Sequence, residues 1–235
     1  MVRDTRDLSL EDLAPGQVIG SPLTGAEPSG IDSGGHIVKH GTLKAKTFAV
    51  ARLLIAEEGY ESLTMNRLST ETGISRQTIY NNVGGREEII INAINEYNNE
   101  LVTRTLALED GPESILFLAH KYFECSISNK RYISEATKLL FDPSYPKSNK
   151  LHQCGSKLLY PYFRTMVGEG WIEPATNCWM LAQHISWINS LTIHSWMMTN
   201  GDTRDLRRQI LFGNRIAMLG AATREGRERV ERYRA

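Results

Sequence analysis

Twenty-three residues from Thr64 to Arg86, TMNRLSTETGISRQTIYNNVGGR, constrain the fold more than any other part of this chain. Thr64 is a good N-cap, and Met65 and Leu68 give a short helix an apolar stripe that ends at Gly73, a residue suited to the left-handed backbone of a tight turn. Ser75 caps a second helix, Arg76 to about Asn82, which is too short to be stable alone in water. Ile74, Ile79 and Val83 must therefore hold it against something larger. Its other face is Arg76, Gln77, Thr78, Tyr80 and Asn81. Two short helices joined by a glycine turn, the second with long polar side chains pointing outward, form the pattern of a helix-turn-helix whose second helix enters a major groove. On that reading Arg76, Gln77 and Asn81 meet base edges, and Lys44, Lys46, Thr64, Thr78, Tyr80, Asn82 and Arg86 hold phosphates.

The pattern from Phe48 to Ile89 resembles the N-terminal domain of the tetracycline-repressor-like (TetR) family of bacterial transcription regulators. The matching residues are Ala51, Ile55, Gly59 and Tyr60 at the end of the first helix, then Thr64, Leu68, Gly73, Ile74 and Ser75 through the turn. Thr78, Ile79 and Tyr80 match within the recognition helix, and Gly84, Arg86, Glu87, Glu88 and Ile89 match the start of a fourth helix. The resemblance covers about a fifth of the chain. Ser69 and Thr72 stand where alanine is common in the family, Val83 where an aromatic is usual and Arg86 where lysine is usual. None of these departures removes a donor. The resemblance implies a three-helix DNA-binding head, a linking fourth helix and a larger helical body, which in the family binds an inducer in a cavity and dimerises through its last two helices.

Net charge is zero, so charge placement matters more than its sum. Residues 1 to 38 carry two basic and six acidic side chains, whereas residues 39 to 90 carry seven basic and six acidic. Non-specific electrostatic attraction to DNA should be modest. Lys39, Lys44 and Lys46 are read as lying ahead of the first helix, Arg76 and Arg86 flank the recognition helix, and Glu57, Glu58 and Glu61 lie at the first helix's other end. Residues 1 to 40 are rich in glycine, proline and serine, a composition that cannot bury enough surface to offset its ordering entropy. A mobile arm is expected there, with Lys39 and His40 at the end nearest the DNA.

From Arg86 onward the pattern is helical. Ile90, Ile94, Tyr97 and Leu101 recur at helical spacing, and Glu87 with Glu88 suits the positive end of the helix they begin, read as 86 to 108. Further helices are predicted over 113–128, 130–141, 148–168, 174–199 and 203–223, with glycine- and proline-bearing breaks between them. The predicted class is all-α, with a helix-turn-helix domain over 41–88, a ligand-binding and dimerisation body over 89–223 and a charged tail over 224–235. That tail, REGRERVERYR, is expected to continue the last helix as a solvated face.

The body interleaves large aromatics with polar groups, the general form of a small-molecule cavity. Tyr97, Phe117, His120, Phe123, Tyr160, Phe163, Trp179, Gln183, His184 and Trp187 are the ligand candidates, and Ile185, Ile188, Leu191 and Leu211 the candidates for a homodimer interface. A metal site is not expected, because His184 and His194 lack acidic partners one turn away. Cys125, Cys154 and Cys178 cannot all pair and are read as buried, inert thiols. No apolar run approaches the length of a membrane span and no secretory signal is seen, so a cytoplasmic protein is expected. No paired carboxylates, nucleophile elbow or phosphate loop occurs in residues 110 to 223, which argues against an enzyme or a bound cofactor. The sequence thus favours a dimeric repressor released from a palindromic operator on double-stranded DNA by a small, largely apolar effector. A constitutive or architectural DNA-binding dimer with a solid body and no inducer is the alternative, with a helical enzyme behind it.

Overall fold

A computed structural model describes residues 40–145 and 148–234. Among them lie ten helices: α1 (His40–Glu58), α2 (Met65–Thr72), α3 (Arg76–Asn82), α4 (Arg86–Leu106), α5 (Glu113–Ser128), α6 (Lys130–Phe141), α7 (Ser148–Gly168), α8 (Cys178–Thr199), α9 (Thr203–Ala221) and α10 (Arg224–Arg232). The all-α class and the order of a helix-turn-helix head before a larger helical body agree with the sequence reading. The arm expected over residues 1–40, with Lys39 and the His40 side chain, lies outside the described residues. The described residues form two compact units, 40–93 and 94–234. Their boundary falls inside α4, where the sequence reading set it at residue 88.

In the first unit, apolar residues at helical spacing on α1 (Phe48, Ala51, Ile55) are buried with Leu63, Leu68, Ile79, Ile89 and Ile90. Side chains buried this completely contribute about 1.5–3 kcal/mol each relative to exposure. That burial is what lets a seven-residue α3 exist at all. Ile79 is its fully buried anchor, whereas Ile74 and Val83 are only half-buried.

In the second unit α7, α8 and α9 pack side by side, with α5 against α9. The larger core joins Val102, Ile115, Phe163, Ile185, Met218 and Val230, and a smaller one joins Ala119, Ile193, Trp196, Leu206 and Ile210. The C-terminal end departs from expectation. Instead of one helix continuing into a solvated tail, the chain breaks after Ala221 and restarts as α10, capped by Thr223, whose hydroxyl accepts from Gly226 N–H at 3.2 Å.

Backbone competition explains the break. The Glu169–Glu173 segment captures the chain: Glu173 N–H donates to Ala221 O at 2.9 Å and Thr223 N–H to Trp171 O at 3.1 Å. A Cβ on Gly226 would lie 2.1 Å from Trp171 O, so only glycine admits this approach. Val230 is fully buried, and Arg229 stacks on Trp171 at 4.4 Å while donating from Nε to Glu113 at 2.6 Å. The side of the charged tail that carries Gly226, Arg229, Val230 and Tyr233 is therefore a packed helix face, and the other side is exposed. Helix α8 also starts later than predicted, at Cys178. Its cap is Asn177, which accepts from Met180 N–H at 3.1 Å.

Candidate nucleic-acid interface and ligand cavity

The helix-turn-helix is assembled by its caps. Thr64 Oγ1 accepts from Arg67 N–H at 3.2 Å, and Gly73 ends α2 at φ +68°, the left-handed conformation that glycine tolerates. Ser75 Oγ then accepts from Thr78 N–H at 3.1 Å and lies 2.8 Å from the Thr78 hydroxyl. With Ile79 turned inward, Arg76, Gln77, Tyr80, Asn81 and Asn82 are exposed together, Tyr80 to 62%. Gln77 Nε2 donates to Asn81 Oδ1 at 2.9 Å, which pre-orients two amides on that face. Asn82 donates to Thr78 O at 2.8 Å, closing the helix end. Lys44 and Lys46 are exposed on α1, the former with its ammonium 5.5 Å from the Phe48 ring. Thr64 is exposed too, and its capping hydroxyl still has a proton to donate.

Arg86 differs from the sequence reading. Its Nε donates to Leu63 O at 2.5 Å and its Nη2 to Tyr60 O at 2.6 Å and Glu61 O at 3.2 Å. The guanidinium is thus a brace that satisfies the carbonyls of the loop between α1 and α2, and the expected phosphate contact is not its placement. Gly85 N–H is met by Glu88 Oε2 at 3.3 Å, a side-chain cap at the start of α4.

The body holds a partly open cavity of about 140 Å³. Its walls are inward stripes of several helices: Ile94, Tyr97, Asn98 and Leu101 of α4; Tyr122, Cys125 and Ser126 of α5; Tyr132, Ile133 and Ala136 of α6; Leu151 and Cys154 of α7; and Ser186, Trp187, Asn189, Ser190 and Ile193 of α8. Tyr122 donates to Asn98 Oδ1 at 2.5 Å, and Asn98 Nδ2 reaches the Cys154 sulfur at 3.9 Å. Tyr97 stacks edge-on against Tyr132, with ring centres 5.2 Å apart. Burial, with Cys125 close by, pushes the Tyr97 phenol far above the usual tyrosine range, and burial raises Tyr122 likewise. Burial also raises the Cys125 and Cys154 thiols. These walls stay uncharged at neutral pH.

Of the ten ligand candidates, Tyr97 and Trp187 line this cavity. The others lie elsewhere. Phe163 is core; Phe117 sits 5.3 Å under the Lys121 ammonium; His120 Nε2 pairs with Glu124 Oε1 at 3.2 Å beside Phe123. Although burial alone would raise it, the Glu124 carboxyl is held below its ordinary range by hydrogen bonds from His120 and Lys121. Tyr160 and Trp179 pack on each other with ring centres 5.9 Å apart, Gln183 is half-buried and His184 is exposed. The residues missed are medium-sized and polar: Asn98, Ser126, Ser186 and Asn189. Their signal was helical register, with Ser186, Asn189, Ser190 and Ile193 falling on one stripe of α8.

Of the dimer candidates, Ile185 is fully buried in the core, because its position on α8 faces α7 and α5 partners, and it is unavailable to another copy. Ile188 is half-buried against Gly213 and Leu211 packs on the smaller core. Leu191 is 49% exposed, and Met180, Met198, Phe212 and Ile216 are exposed apolar residues of α8 and α9 that the sequence reading passed over. All three cysteines are free, and no helix among the described residues is long and apolar enough to cross a membrane.

Residues 48–93 match the family model for bacterial regulatory proteins of the tetR family. The fold is similar to that of the fatty acid degradation regulator FadR from Bacillus halodurans, with TM-score 0.57 and 16% identity over 80% of this chain and 98% of that one. It is similar also to the Thermus thermophilus FadR, a TetR-family transcriptional repressor solved in complex with lauroyl-CoA, with TM-score 0.61 and 18% identity over 77% and 96% of the two chains. The R. erythropolis transcriptional repressor QsdR has TM-score 0.56 and 15% identity over 78% and 97%. Among curated protein sequences no match is found. The matched family and these folds are those of regulators rather than enzymes.

Proposed function

We propose, from the match of residues 48–93 to the tetR family of bacterial regulatory proteins and from the shared fold, that the chain is a dimeric repressor that leaves a palindromic operator when a small molecule fills the cavity of its body. The observation that carries the DNA half is α3, a capped two-turn helix whose only fully buried side chain is Ile79 and whose outward face is Arg76, Gln77, Tyr80 and Asn81. Arg76, Gln77 and Asn81 are the proposed base readers. Lys44, Lys46, Thr64, Thr78, Tyr80 and Asn82 are the proposed phosphate contacts, with Thr78 acting through a hydroxyl that Ser75 already orients.

One α3 spans only a few base pairs, so useful specificity requires two copies related by two-fold symmetry. The exposed apolar residues Met180, Leu191 and Met198, which recur on one stripe of α8, with Phe212 and Ile216 one turn apart on α9, support a self-complementary interface there, since apolar side chains aligned at the surface, unlike singly scattered ones, mark interaction sites. In the ligand half, α4 is one continuous helix that begins beside the helix-turn-helix and ends as a cavity wall. A ligand lowers operator affinity only if it favours the arrangement of heads that does not fit DNA, and α4 is the element through which that preference acts.

Selection from a pool of random duplexes tests the DNA half. An inverted repeat with half-sites about one or a few helical turns apart is expected, with a dimer at micromolar protein in sedimentation. Recovery of no common sequence would contradict it.

A further inference from the structure

The walls of the cavity state what kind of molecule it can hold. Among the described residues, no Asp, Glu, Lys, Arg or His lines it, and burial favours the neutral forms of Tyr97, Tyr122, Cys125 and Cys154. An ionised group placed inside would lose its hydration without meeting an opposite charge, and that loss is large for an unpaired ion. Most of the polar wall is already engaged internally, through the chain from Tyr122 to Asn98 to Cys154.

Asn189 carries a donor outside that chain. It is 4% exposed and lines the cavity from α8. Asn214 Nδ2 donates both to Ile210 O at 2.7 Å and to Asn189 Oδ1 at 2.7 Å. Because a backbone carbonyl only accepts, the Ile210 contact fixes which end of the Asn214 amide is the donor, and that in turn fixes the oxygen of Asn189 toward Asn214. The Asn189 amide nitrogen is thus left with its N–H groups unengaged. One turn earlier, the Ser186 hydroxyl is buried beside Gly155 with no hydrogen-bond partner. Asparagine and serine three apart on a helix share a face, so two donors border the same wall. A carbonyl oxygen has two lone pairs to accept from both.

We infer that the cavity takes a neutral, compact apolar molecule bearing a carbonyl group, such as an amide, ester or ketone, with its oxygen on Asn189 and Ser186. This assignment rests on the inducible-repressor reading and narrows it, because a carboxylate inside would stay unpaired and a long-chain coenzyme A thioester is too large for a cavity of this volume. Size points the same way. A dry engineered cavity of about 150 Å³ accepts benzene, and the cavity here is about 140 Å³.

The test is a titration of the full-length protein with benzamide, benzoate, toluene and lauroyl-CoA, followed by melting temperature at pH 7.5. Benzamide should bind at least tenfold more tightly than benzoate and several-fold more tightly than toluene. Ser186→Ala should reduce that preference over toluene. The double replacement Asn189→Leu with Asn214→Leu, which removes both partners of the buried amide pair and so leaves neither orphaned, should abolish it. Benzoate or lauroyl-CoA binding as tightly as benzamide, the absence of binding by all four, or an unchanged preference in both variants would overturn the assignment. If lauroyl-CoA bound best and released DNA, the inducible-repressor reading would stand while the neutral-carbonyl class fell. Failure to bind any selected DNA would instead overturn that reading.

Discussion

The DNA-binding head and the body are both helical, yet they carry their information differently. The head's defining features sit within a run of twenty-three residues, and each is settled by a near neighbour: Thr64 by Arg67, Gly73 by its own backbone, Ser75 by Thr78, Gln77 by Asn81. The cavity draws on α4, α5, α6, α7 and α8, whose contributing residues run from Ile94 to Ile193. Local chemistry specifies the first, and packing register specifies the second. A substitution in the head should therefore act on its own element, whereas one in the body should act through partners distant in sequence.

Arg86 offers the sharpest way to break that contrast, since it is the residue of the head whose work is long-range. Arg86→Ala removes three contacts to loop carbonyls, and hydrogen bonds to a charged group contribute about 1.5–3 kcal/mol each. A loss of roughly 3 kcal/mol in the stability of the head is expected in chemical denaturation. An unchanged denaturation midpoint accompanied by weaker DNA binding would return Arg86 to the phosphate role.

Gly226 probes the body in the same way. Gly226→Ala places a Cβ against Trp171 O, so the backbone must move, and overpacking of this kind costs about 1–3 kcal/mol. The melting temperature should fall by roughly 2–4 °C for each kcal/mol. A variant as stable as the parent would show that α10 is the loosely held solvated tail that the sequence suggested.

Next in size comes base reading. Arg76→Ala should relax the preference at one operator position by about 1–3 kcal/mol, whereas Tyr80→Phe should weaken all sequences by a smaller and uniform amount. A selection experiment returning the same base preferences for Arg76→Ala would remove Arg76 from the list of readers. The smallest effect belongs to His184→Ala, which alters an exposed residue away from the cavity and should change ligand affinity by less than about 0.5 kcal/mol. Trp187→Ala, by comparison, removes a wall and should blunt the ligand response several-fold.

These expectations mirror how much the sequence disclosed. Caps, the glycine turn and the anchor Ile79 were legible because each rule operates within four residues. Most of the body's helices were legible as well, from their apolar period and the proline and glycine breaks. The cavity was not, because residue size misled: Phe163, Phe117 and Trp179 are large and suggestive, but Phe163 lies in the core, Phe117 under the Lys121 ammonium and Trp179 against Tyr160. Asn189 and Ser186 are unremarkable by type and become significant only when α8 meets α9 and α7. Ile185 failed as an interface residue for the same reason, since helical register sets it more than a quarter turn around α8 from Leu191, on the buried side. The split of α9 from α10 was hidden too, since nothing near Ala222 in sequence announces its bridge to Ile172.

The most direct test of the central claim is an operator titration with and without a small molecule already shown to fill the cavity, using the selected palindrome and saturating occupancy. Coupling through α4 predicts that the ligand lowers operator affinity by roughly 1–3 kcal/mol, and that Tyr97→Ala, which alters the cavity wall on that helix, shrinks the difference more than it weakens ligand-free binding. Equal affinities with the cavity empty and full would contradict the account, and would leave a DNA-binding dimer whose body serves assembly alone.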